Sequence, residues 1–108
     1  MAQLVETLNG NFNQILNKIE TGILGGSISA SLEASNDFFE GDSKCSVRVF
    51  ERYSYIGSNR LSMSVTLFQS GNGPIHLCAV TSGGSQAVFF KINTFGEEAF
   101  LDKLREII

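Results

Sequence analysis

The stretch Leu61-Ser62-Met63-Ser64-Val65-Thr66-Leu67 alternates apolar and hydroxyl-bearing residues without a break. A period of two belongs to an extended strand, so the apolar side chains point to one side and the hydroxyls to the other. A strand with one dry and one wet face belongs to a sheet covered on a single side.

Toward the C-terminus, Ser70-Gly71-Asn72-Gly73-Pro74 is turn chemistry, and Ile75 to Val80 follow as a mostly apolar strand. Ser82-Gly83-Gly84-Ser85 turns the chain again into a strand over Gln86 to Ile92. Val88, Phe90 and Ile92 share one face of it, and Ala87, Phe89 and Lys91 the other. Toward the N-terminus, Gly57-Ser58-Asn59 is a turn behind a strand from Lys44 to Ile56. Cys45, Val47 and Val49 read as its dry face and Lys44, Ser46, Arg48, Phe50 and Arg52 as its wet one, with a bulge within Glu51 to Tyr55. Before it, Asn36 to Ser43 read as a loop carrying Asp37, Glu40 and Asp42, with Phe38 and Phe39 given no role. Ile28, Ala30, Leu32 and Ala34 mark a further strand over Ser27 to Ser35.

The two ends change period. Leu4, Leu8, Phe12, Ile15, Leu16, Ile19 and Ile23 recur every three or four residues, the stripe of an amphipathic helix over about 2 to 22. Gly10 weakens that helix by about 1 kcal/mol relative to Ala, and Gly22 is placed to cap it. Thr94 and Glu97 have the spacing of a capping box, ahead of a helix over about 95 to 108 that buries Phe100, Leu101, Leu104 and Ile108. The expectation is an α+β two-layer sandwich: a five-stranded antiparallel meander with N- and C-terminal helices packed on one face (α-β5-α), forming one domain over residues 1–108.

Composition narrows the function classes. The chain has 108 residues, 43% hydrophobic and 18% charged, which suits a folded domain rather than a disordered one. Eight basic against eleven acidic residues leave a net charge of −3, which argues against nucleic acid as a partner. No run approaches the roughly 20 apolar residues of a membrane span, and the first residues lack a secretory pattern, so the expected location is cytoplasmic. Cys45 and Cys78 have no ligand spacing and read as free thiols.

Catalytic signals are sparse. His76 is the one histidine in the chain, so any Ser-His-Asp or Cys-His mechanism must pass through it. Its nearest partner is Cys78, with Cβ atoms about 6.5 to 7 Å apart on a strand, too far for a hydrogen bond unless both lean together. One histidine and two cysteines fall short of a structural zinc set. Asp37, Glu40 and Asp42 lack EF-hand spacing, and the glycine pairs precede strands without a Gly-Lys-Ser/Thr ending. No cofactor is called for.

The informative surface is the sheet face away from the helices, which the assigned parity fills with Arg48, Phe50, Arg52, Phe68, His76, Cys78, Val80, Phe89 and Lys91. Apolar groups rimmed by cations mark association surfaces, so Arg48, Phe50, Arg52, Phe68, His76, Phe89 and Lys91 are the candidate partner-binding residues. A one-residue slip would instead turn the aromatics among them, Phe50, Phe68 and Phe89, into the core.

The segment Gly83-Gly84-Ser85-Gln86-Ala87-Val88-Phe89-Phe90-Lys91-Ile92-Asn93, with Gly96-Glu97-Glu98 and Phe100-Leu101 beyond it, resembles the C-terminal third of small uncharacterised bacterial α+β proteins. The resemblance implies a bacterial cytoplasmic protein and brings no catalytic residue with it. Three readings follow. The first is a nonenzymatic binding or self-association module forming a homodimer through the open sheet face. The second is a carrier of a small apolar ligand held between helices and sheet, and the third is an enzyme acting through His76.

Overall fold

The computed structural model describes residues 1–54, 59–83 and 90–108. Its elements are β1 (Ala2–Leu8), α1 (Phe12–Gly25), β2 (Ser31–Glu40), β3 (Ser43–Ser54), β4 (Asn59–Ser70), β5 (Ile75–Gly83) and α2 (Phe90–Ile107). The five strands form one antiparallel sheet in the order β1-β5-β4-β3-β2. Both helices contribute to one hydrophobic core on a single face of it. This is the expected α+β class, although the elements that compose it differ at both ends.

The N-terminal segment is a strand before it is a helix. Ala2 to Leu8 pair with β5, from Ala2↔Thr81 to Leu8↔Ile75. Leu4, Leu8 and Phe12 are four apart and fit a helical stripe, but Ala2, Leu4 and Leu8 also fit a period of two. Pairing with β5 decides between them: Ala2 and Leu4 are buried while Val5 is 63% exposed. Gly10, at φ 137°, makes the turn that a helix through this point would forbid. Asn11 then caps α1, its side chain accepting the Gln14 N–H at 2.9 Å. Gly22 lies inside the helix, where a Cβ would stand 2.5 Å from Ile107 Cδ1, and the chain is capped later, at Gly26.

The expected loop after Ser35 is extended chain. β2 continues to Glu40, Phe38 and Phe39 belong to it, and Gly41 at φ 58° turns the chain into β3. Ile28 precedes the strand and is fully exposed. The bulge lies in β2, between Leu32 and Ala34, while β3 and β4 pair unbroken from Ser43↔Ser70 to Ser54↔Asn59. At the C-terminal end, residues 86–89 of the expected fifth strand lie outside the described residues. Phe90 to Ile92 open α2, so Thr94 and Glu97 sit within that helix and do not cap it.

The dry face is as the alternation implies. Leu61, Met63, Val65 and Leu67 of β4 and Ile75, Leu77 and Ala79 of β5 are almost fully buried. Phe12, Ile19 and Ile23 of α1 and Phe100, Leu101 and Leu104 of α2 close over them. Each of these side chains larger than alanine contributes about 1.5 to 3 kcal/mol on leaving water.

Candidate functional site

Residues paired across a sheet share a face, so the register settles which side chains are free. Phe50 stands opposite Met63, Arg48 opposite Val65, Ser46 opposite Leu67 and Arg52 opposite Leu61. All four therefore lie on the helix side. This corrects the placement expected for Arg48, Phe50 and Arg52. β3 carries apolar residues at both parities, and Cys45, Val47 and Val49 looked like the core only because the partners of the arginines are remote in sequence.

Phe50 is fully buried. Arg48 is nearly so, and its charge is met from two other elements. Nε donates to Glu20 Oε1 of α1 at 2.7 Å. Nη1 pairs with Asp37 Oδ1 of β2 at 3.0 Å and donates to the carbonyls of Asn36 and Val47. Ser46 Oγ donates to the same Asp37 oxygen at 2.6 Å. The Ser46 hydroxyl and the Arg48 guanidinium hold Asp37 below its usual range. Burial pulls the Arg48 guanidinium down, and its bonds to Asp37 and Glu20 more than restore it, leaving it raised. Arg52 lies over the Phe100 ring at 4.5 Å, and burial lowers it. The cluster ties β2 and β3 to α1, and both β3 arginines lie on the helix side of the sheet.

The opposite face is open, and its rows can be read across the strands. One runs Phe38, Cys45, Phe68, His76, Thr7, and the next Asn36, Val47, Thr66, Cys78, Val5. A third runs Ala34, Val49, Ser64, Val80, Gln3. Phe38 is 61% and Phe68 41% exposed, and the Phe68 and His76 rings stack at 6.4 Å. Phe68 and His76 are thus where the sequence put them. Lys91 is not on the sheet, because its backbone belongs to α2. Phe89 lies outside the described residues. Phe38, which sequence reasoning left in a loop, joins the row from β2; Ser35-Asn36-Asp37 ahead of it break the apolar alternation, so no local signal placed it there.

Chemically the face offers one imidazole and two free thiols. Cys78 follows His76 on the same face of β5, and Cys45 is separated from His76 by Phe68. Among the described residues no group of three or more His, Cys, Asp or Glu could hold a metal ion. A surface cleft of about 410 Å³ lies at the end of β1, lined by Leu8, Ile15, Lys18, Ile107 and Ile108 among others. It lies at one end of the core, where β1, α1 and α2 meet.

Together these features define a small α+β protein of one sheet, packed under two helices on one side and, among the described residues, uncovered on the other. Over residues 1–108 the sequence matches a family of unknown function, DUF6054, and the chain belongs to it. No curated protein and no solved structure matches the chain. No helix among the described residues is long and apolar enough to cross a membrane.

Proposed function

We propose that the chain is a nonenzymatic self-association module, in which two copies meet at the uncovered part of the sheet. The observation that supports it most is the aromatic row on the open face, where Phe38 and Phe68 remain in water although the opposite face of β4 and β5 is covered by the helices. Apolar groups gathered on one face favour burial against a partner. The centre of this face carries no Lys, Arg, Asp or Glu, so a second copy meets no charge repulsion there. A net charge of −3 disfavours a polyanion as the alternative occupant. The two free thiols suit a reducing, cytoplasmic setting.

Size-exclusion chromatography with light scattering over a dilution series tests the reading. The expected result is a dimer mass that falls toward the monomer on dilution. A monomer mass up to several hundred micromolar contradicts it.

A further inference from the structure

β2 is the anomaly of the fold. It is an edge strand of ten residues, nine of them exposed, with Leu32, Phe38 and Phe39 among the exposed large apolar side chains. Its inner edge is paired to β3 and its outer edge to nothing among the described residues. Free edges are usually blunted by charge, by proline or by a bulge. Here the bulge sits at Leu32/Ala34, toward one end, and leaves Ala34 to Glu40 regular. Of the strand's three acids, Glu33 lies at the bulge, Glu40 ends the strand, and Asp37 is met by Arg48 and Ser46 from its own sheet.

A copy related by a two-fold axis normal to the sheet would run antiparallel to β2 and present the same face upward, so directly opposed residues must have the same parity. Every register with a residue on the axis meets this condition, so the facing side chains decide among them. With Phe38 on the axis, the Asp37 carboxylate faces the Phe39 ring of the other copy. With Ser35 on the axis, Glu33 faces Asp37 of the other copy, and with Asp37 on the axis two carboxylates face each other. With Asn36 on the axis, Ala34 meets Phe38 on the open face, Ser35 meets Asp37 on the helix side and the two Asn36 amides meet each other. No acid then faces an acid directly. Ser46 and Arg48 both use Oδ1 of Asp37, so Oδ2 is the oxygen left for the Ser35 hydroxyl across the seam. The bulge falls outside the five paired positions.

We infer that two copies join edge to edge along β2, with Asn36 on the two-fold axis, into a continuous ten-stranded sheet. The inference rests on the self-association reading and moves its contact from the open face to the edge of the sheet. The seam supplies about four to six ladder hydrogen bonds and carries the aromatic row of each open face up to its partner. A second copy fits better than an unrelated strand, because the Asn36-centred register is self-complementary at every paired position.

Charge exchange at Asn36 tests it, since only this seam sets residue 36 against itself. Asn36→Asp and Asn36→Lys each place two like charges on the axis, and each is expected to weaken the dimer by about tenfold or more in sedimentation experiments. An equimolar mixture is expected to recover a dimer at least as tight as the parent, because the hybrid pairs opposite charges. Circular dichroism on each variant confirms that the exposed substitution leaves the monomer folded. If the parent dimerises, both variants dimerise equally well and Phe68→Ser dissociates it, the seam is overturned and self-association through the open face stands. If the parent is monomeric, both fail.

Discussion

Replacing Arg48 with Met keeps the aliphatic stem of the side chain and removes its charge, which makes the cost a measure of where that charge sits. Arg48 is about 7% exposed at its side chain, and its partners Glu20 and Asp37 are 27% and 40% exposed. Breaking a fully buried pair costs about 3 to 5 kcal/mol because the abandoned charge stays buried. Here both carboxylates reach water, so the cost falls to about 2 to 3 kcal/mol. For a domain of this size that lowers Tm by roughly 8 to 15 °C. Urea denaturation monitored by circular dichroism gives the same quantity as a lower midpoint at an unchanged slope. A loss under about 0.5 kcal/mol is what a solvent-facing arginine would give, and it would refute the helix-side placement of β3's even-numbered residues.

Three further outcomes follow from the same face assignments. Phe50→Ala is expected to cost about 3 to 5 kcal/mol in denaturant melts, whereas Phe68→Ser changes monomer stability by no more than about 0.5 kcal/mol. Asp37 titrates lower in the folded chain than its ordinary 3.8, so its contribution is present above that value and is lost as pH falls through the folded one. Acid melts of Asp37→Asn should therefore show a shallower loss of stability below about pH 4 than the parent. Gly22→Ala gains about 1 kcal/mol of helix propensity, but the new methyl meets Ile107 at 2.5 Å. Overpacking at about 1 to 3 kcal/mol outweighs the gain, and a double-mutant cycle with Ile107→Ala should recover the difference.

Strands with clean alternation were legible from sequence, and β4 alone established a sheet with one covered face. What misled was ambiguity of period and parity. Leu4, Leu8 and Phe12 satisfy both a helical and a strand spacing, and pairing with β5, from Ala2↔Thr81 to Leu8↔Ile75, chooses between them. Along β3 both faces hold apolar groups, so the arginines looked solvent-bound until Glu20 and Asp37 were seen to converge on one of them. The candidate surface was therefore half readable. Phe68 and His76 follow from local alternation in β4 and β5, but Arg48, Phe50 and Arg52 required knowledge of contacts between elements. Phe38 was hidden because Ser35-Asn36-Asp37 break the alternation and have loop composition, and only the pairing of β2 with β3 shows the strand running on.

Amide hydrogen exchange as a function of protein concentration tests most directly that copies associate through β2. On association, the amides of Ala34 to Phe38 that point away from β3 are expected to slow as the protein is concentrated, while those on the outer edge of β1 keep their rate. Exchange along β2 that stays fast and independent of concentration, in samples that are dimeric by mass, would contradict it.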